Sequence, residues 1–231
     1  MENSNFSDKV IEALSIDTVI FGFEKSKLFV LLVKHGEGKY AGQWALPGGF
    51  IKYNESVDDA AYRILTDQTA VRDIFLEELK TFGEVNRYPE RRVITVAYYA
   101  LVNKQNFELN AGASVSDVRW FNIHEVPSLL FDHNDILDYG FNHLKHKIQH
   151  EPIGFNLLPR KFTLLQIKEL YEAILETELD KSNFRRKFIN MNLLVACNEK
   201  QKDVAHRAAR LYRFDESVYN NLLKKGFVFE V

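Results

Sequence analysis

The sequence predicts an α/β (more narrowly α+β) body built on a mixed β-sheet sandwich with helices, followed by a small basic helical module that ends in a wing. Three observations carry that prediction. Residues 1–150 interleave period-2 apolar segments with two amphipathic stretches of helical spacing. A segment with two prolines and a glycine, EPIGFNLLP, then interrupts the pattern at 151–159. Charge divides at the same place: Lys+Arg against Asp+Glu is 16 to 22 over residues 1–151 and 14 to 10 over 152–231. The segment from Lys181 to Arg213 alone holds 9 against 2. Domains are therefore expected at 1–151 and 152–231, an acidic body joined to a module that seeks polyanions.

The elements follow in order. Ile16–Phe23 and Lys27–Lys34 are apolar runs across a short turn and read as a hairpin. A loop with Gly36, Gly38 and Gly42 leads to a short strand, Trp44–Leu46, which Pro47-Gly48-Gly49 breaks. Ser56 is placed to cap a helix over 56–69, whose apolar face is Val57, Ala60, Ala61, Ile64 and Leu65. Glu77–Phe82, Val93–Val102 and Val118–Phe121 read as strands, and Ile136–Gln149 as a helix. Beyond the junction, Leu164–Leu175 is an amphipathic helix capped by Thr163, and Lys181–Leu194 is a second, capped by Asp180. Asn198–Arg210 is polar and basic, and Leu211–Phe214 returns to strand-like alternation.

Composition excludes several classes. A single cysteine, Cys197, allows no internal disulfide and points to a reducing compartment. No apolar run approaches the roughly 18 residues of a membrane span. The start, MENSNFSDK, lacks the basic and apolar regions of a signal peptide, so a cytoplasmic protein without membrane partners is expected. The histidines at 124, 143, 146, 150 and 206 have no zinc-ligand spacing, and neither metal nor cofactor is expected.

The segment GGFIKYNESVDDAAYRILTDQTAV at 48–71 resembles the Nudix box. Gly49, Glu55 and Arg63 stand at the spacing of that pattern, and Leu65 and Val71 fill its aliphatic positions. In active members the glutamates after the arginine share one helix face and hold Mg²⁺ against a pyrophosphate. Here Ile64 replaces the first of them, Asp67 and Gln68 the following pair, and Ala70 the glycine. Isoleucine offers no oxygen and glutamine only a neutral carbonyl, so the resemblance implies the fold with little or no hydrolysis, and no catalytic residue is assigned. The flanks GQWALPGGF, VITVAYYAL and WFNIHEVPSLLFDH extend the resemblance to the ADP-ribose-pyrophosphatase-like branch of the superfamily.

In the basic module, Phe184, Phe188 and Met191 form one helix face. Asn183, Arg186 and Asn190 fall opposite, with Ser182, Arg185 and Lys187 beside them. Such a helix behind another helix and a turn is a helix-turn-helix arrangement, and Arg and Asn suit bidentate reading of guanine and adenine. Lys200, Lys202, Arg207, Arg210 and Arg213 follow where a wing would meet phosphates. The pattern alone also admits a small helical dimerisation domain with a charged exterior. The runs IGFNLLPRKFTLLQIKELYEAIL and DKSNFRRKF are similar to the linker and winged helix of the Nudix-related transcriptional regulators. That resemblance implies a homodimeric repressor that releases double-stranded operator DNA when its Nudix domain binds a small effector. One branch of the family senses ADP-ribose and another, in Bacteroidetes, senses L-arabinose. The FNLLP and FDH segments look closer to the second, so an L-arabinose-type repressor is expected, with an ADP-ribose sensor or an active hydrolase as the alternatives. Lys34, Trp44, Gly49, Glu84, Asn86, Arg87 and Arg92 are the candidate effector residues, where the sheet is expected to meet the Nudix loop, and GEVNRYPERR brings three arginines to a strand entry. Asp132 and His133 read as a helix start.

Overall fold

A computed structural model describes residues 13–202 and 208–230. The hairpin is present as β1 (Ala13–Glu24) and β2 (Lys27–His35). Its two-residue turn puts both Lys25 and Ser26 at positive φ, the twist that suits a tight hairpin. Short strands β3 (Trp44–Ala45) and β4 (Gly48–Phe50) follow, then helix α1 (Val57–Thr69), β5 (Glu77–Phe82), β6 (Val93–Val102), β7 (Val115–Asn122) and helix α2 (His133–His150). Among the described residues these strands make one seven-stranded sheet in the order β3-β2-β1-β6-β5, with β4 paired to β1 and β7 to β2. The Gly48-Gly49 segment, read above as a break, is thus a strand of its own, in register with Asp17 and Ile16. It can pair because Gly48 has no side chain: a Cβ there would lie 2.2 Å from Asp17 Oδ1 and 2.8 Å from the Ile16 carbonyl.

β1 is buried almost without interruption, as a strand covered on both faces must be. On one side Ile64 of α1 reaches the backbone of Gly49. On the other α2 comes close enough at Gly140 to touch Val19 and Leu79. Tyr98 on β6 donates a 2.5 Å hydrogen bond to Asp58 at the start of α1, and burial together with that carboxylate pushes the phenol pKa far up.

By compactness the chain forms two units. Of the described residues, the first holds 13–20, 30–100 and 108–140, and the second holds 21–29, 101–107, 141–202 and 208–230. In the second unit, α3 (Leu164–Leu175) and α4 (Lys181–Asn190) precede β8 (Leu194–Lys200), β9 (Arg210–Phe214) and α5 (Glu216–Leu223). Thr163 and Gln166 form a reciprocal capping box at the start of α3. β8 and β9 pair antiparallel as the wing, and Phe162 exchanges two backbone hydrogen bonds with Tyr212 as a third arm. The second helix is shorter than the expected 181–194. It ends at Asn190, Asn192 turns the chain at φ 56°, and Leu194 opens β8. Helix α5, capped by Asp215, has no counterpart in the reading above.

The segment after α2 is packed within the second unit. Pro152–Leu157 form a short 3₁₀ turn in which Gly154 and Leu157 are buried, and a Cβ on Gly154 would come within 3.0 Å of Ile148. Phe155 stacks on Phe214 at 4.3 Å and on Phe162 at 5.4 Å. The helical core is Ile167, Leu170, Tyr171, Ile174, Phe184 and Phe188. The Tyr171 hydroxyl is fully buried there without a hydrogen-bond partner. A buried polar group left unpaired is destabilising. Tyr171→Phe should therefore keep the fold and raise stability by about 1 kcal/mol in urea unfolding; a loss of stability would show that the hydroxyl has a partner.

Candidate functional site

The box loop and helix are held together by hydrogen bonds among their own side chains and backbone. Ser56 caps α1 by accepting the Asp59 N–H at 3.1 Å. Arg63 grips Glu55 in a fork, Nε to Oε2 at 2.7 Å and Nη2 to Oε1 at 2.6 Å, and donates to the Phe50 carbonyl at 3.1 Å. Those hydrogen bonds from Arg63 hold the Glu55 pKa down at about 2. Gln68 uses both ends of its amide on one peptide: Gly48 N–H donates to its Oε1 at 3.0 Å, and its Nε2 donates to the Gly48 carbonyl at 2.8 Å. A glutamate could not make the second bond. Ile64 is buried against Gly49, and Asp67 lies exposed, 3.9 Å from Arg63. Ala70 ends the helix at φ 62°, a left-handed position where glycine would be unstrained. A divalent cation does not fit this set. One ligand position is apolar, one is committed to a peptide and one is forked to an arginine, and among the described residues no group of three or more His, Cys, Asp or Glu could hold a metal.

Beside the box lies a buried charge network. Arg87 forks onto Asp132 with Nε–Oδ2 at 2.8 Å and Nη2–Oδ1 at 2.7 Å, and its Nη2 also reaches Asp17 at 3.3 Å. His133 completes the group. Its Nδ1 accepts the Leu46 N–H at 3.0 Å, leaving Nε2 to face Asp17 at 3.4 Å. Arg87 also lines a cavity of about 680 Å³, formed by the segment 82–89 and by Phe131, Asp132 and Asp135. That volume lies in the range of small-molecule sites.

In the helical unit, α4 buries Phe184 and Phe188, and every one of Ser182, Asn183, Arg185, Arg186, Lys187 and Asn190 is exposed. Arg186 donates to Asn183 at 2.8 Å, which holds these two side chains side by side on the exposed face. Lys200, Lys202, Arg210 and Arg213 are exposed on or beside the wing strands. Arg207 lies outside the described residues.

The same two-part organisation is found in known proteins. Residues 12–140 match the NUDIX domain model, and residues 154–214 match that of the NrtR DNA-binding winged helix domain. The ADPR responsive transcriptional repressor NtrR of Acinetobacter baylyi is 30% identical over 212 residues, 90% of this chain and 84% of that protein. The chain belongs to the NrtR family of Nudix-related transcriptional regulators. The crystal structure of Shewanella oneidensis NrtR complexed with a 27mer DNA is 31% identical, with a TM-score of 0.77 over 90% of this chain and 95% of that one. The NUDIX domain of the same protein, cocrystallised with ADP ribose, is 31% identical with a TM-score of 0.54, covering 62% of this chain and 99% of that one.

Against this NrtR-family frame, the expected effector residues fall into two groups. Glu84, Asn86 and Arg87 share the cavity. Arg92 stands behind it, donating to the carbonyls of Gly83 and Glu84 at 2.6 Å each, and so fixes the loop. Lys34 and Trp44 do not line that cavity. Trp44 packs edge-on against Phe121 at 4.7 Å, with Lys34 and Arg119 over its ring. Gly49 pairs with Ile16 beneath Ile64. The reading from sequence passed over Asp17, Phe131 and Asp135. A lone carboxylate inside the apolar run SIDTVIF was a usable sign for Asp17, since a buried charge needs a partner. Cys197 is half-buried on β8.

Two outcomes follow from the box geometry. Gln68→Glu should lower stability by about 1–3 kcal/mol, because a carboxylate then faces the Gly48 carbonyl, and should bring no Mg²⁺-dependent turnover; measurable hydrolysis would show that the helix still presents a metal site. The Glu55–Arg63 fork, whose acid has a depressed pKa, should be complete above the ordinary 4.5 and lost as pH falls through about 2, read as the Glu55 carboxyl ¹³C shift; a midpoint near 4.5 would contradict the fork.

Proposed function

We propose that this chain is a ligand-responsive transcriptional repressor. Residues 1–151 sense the effector, and 152–231 bind operator DNA. The observation that carries the DNA-binding half is α4, a helix whose two phenylalanines anchor it in the core while its Asn/Arg/Ser/Lys face stands free. That face is suited to the major groove, and the basic wing residues to flanking phosphates. Likeness to a DNA-bound NrtR over nine-tenths of the chain supports the same reading.

For the effector we infer ADP-ribose or a closely related nucleoside diphosphate sugar. The Acinetobacter repressor and the ADP ribose cocrystal support this over the L-arabinose reading expected from the FNLLP and FDH segments. The box supports binding without hydrolysis, since Gln68, Ile64 and Glu55 now serve the fold. A pair of chains on a palindromic operator is the arrangement such modules use, and we propose it here.

Fluorescence anisotropy with a DNA duplex from the gene's own upstream region tests the DNA-binding half. Wild-type protein should bind with an affinity that falls steeply with salt, and Arg186→Ala should weaken specific binding by about 1–3 kcal/mol. Unchanged operator affinity in that variant would remove α4 as the reading helix. No binding at low salt would overturn the repressor reading.

A further inference from the structure

We propose that the winged-helix unit carries a ligand site of its own, for an aromatic phosphate ester, and that its occupant and operator DNA exclude each other. The exclusion rests on the DNA-binding reading above; the site itself does not.

A cavity of about 550 Å³ opens where the start of α3, the start of α4 and the wing meet. That volume lies in the range of small-molecule sites. Its floor is apolar, made by Leu164 and Leu165 of α3, Phe184 of α4 and Tyr212 of β9. Its rim is cationic. Lys168, Lys181, Arg185, Lys200 and Arg210 line it, and among the described residues no aspartate or glutamate does.

The local geometry gathers those cations at a cost. Lys181 and Arg185 stand one turn apart on α4, and Lys200 and Arg210 are register partners across β8 and β9. Like charges at either spacing repel and are destabilising. Lys168 is neutralised by Glu172 at 2.5 Å. Among the described residues the side chains of Lys181, Arg185 and Lys200 make no hydrogen bond or ion pair, and Arg210 donates through Nε to the Cys197 carbonyl at 3.3 Å. Four cations thus surround one apolar floor without a counter-charge. An anion seated there would relieve both repulsions at once.

Charge and shape together select the ligand. Four unneutralised cations ask for more negative charge than one carboxylate carries, and a phosphate monoester supplies close to two charges with several acceptor oxygens. Phe184 and Tyr212 suit a flat aromatic body on the floor. The phosphates of a DNA backbone could meet the rim, but that backbone is convex and polar and has no use for an apolar hollow. The floor therefore points to a free ester. Arg185, Lys200 and Arg210 serve both the cavity rim and the proposed DNA face, so an occupant would neutralise charge that the operator needs.

Isothermal titration of the full-length protein with 1-naphthyl phosphate, 1-naphthol and inorganic phosphate, without DNA, tests the site. The ester should bind at least about tenfold more tightly than either half. Leu165→Ala combined with Lys181→Gln removes one floor and one rim side chain, both exposed. This double variant should bind the ester about tenfold more weakly, with an unchanged circular-dichroism melt. If the pair melts early, each single substitution should still cost about threefold. The ester should also displace an operator duplex from the wild type, at a concentration that rises about tenfold in the double variant. An ester that binds no more tightly than inorganic phosphate would reduce the cavity to surface charge. Variants that bind it like wild type would place it elsewhere, and a bound ester that leaves the duplex in place would end the exclusion. Each of these overturns the proposal. If no duplex binds at low salt, the repressor reading falls while the titrations still decide the site.

Discussion

The sensor unit depends on one buried ion group, Arg87 between Asp132 and Asp17. An arginine whose side chain is 3% exposed is tolerated only where its charge is met and its N–H groups are bonded. Here the partners come from distant parts of the chain. Asp17 stands in central strand β1, Arg87 in the loop after β5, and Asp132 at the entry to α2. His133 extends the group to the Leu46 N–H, and so to the loop that leads into β4. β4 in turn is held by Gln68 of the box helix. One network thus fixes the cavity wall, the box loop and the start of α2 together. Removing one member would leave a buried charge without its counterpart, which is why none can drift alone.

This arrangement accounts for the state of the box helix. The fold asks for something to tie the Gly-Gly strand to α1 and something to fill the space over Gly49. In this chain an amide ties the first and an isoleucine fills the second. Both are better suited to holding a backbone than to holding a cation. The positions that chemistry would use are spent on rigidity, as the proposed sensor role would ask. In the helical unit the logic is similar: Phe155 stacked on Phe162 and Phe214 makes the 152–157 turn part of a core.

Much of this was legible in the residues. Period-2 and helical spacing placed Glu77–Phe82, Val93–Val102 and Leu164–Leu175 at their observed bounds, because long periodic segments with good caps resist tertiary override. The exposed face of α4 followed from the spacing of Phe184 and Phe188. What escaped was set by contacts distant in sequence. The two-glycine strand β4 exists only because Asp17 and Ile16 lie opposite it. The end of α4 depends on a left-handed Asn192 with no proline or glycine to announce it. Glu84, Asn86 and Arg87 could be grouped from one short segment, but Phe131 and Asp135 reach the same cavity from elsewhere in the chain, where no local pattern reports it. Trp44 and Lys34 show the converse, since proximity in sequence to the Gly-Gly turn did not bring them to the cavity.

The central claim is that this Nudix domain reads its ligand and does not consume it. The most direct measurement is to titrate ADP-ribose into the protein–operator complex with Mg²⁺ present, follow anisotropy, and then recover the nucleotide for chromatography. The account predicts release of the DNA with ADP-ribose recovered intact. Conversion of the ADP-ribose to AMP and ribose 5-phosphate, with the DNA still bound, would contradict it.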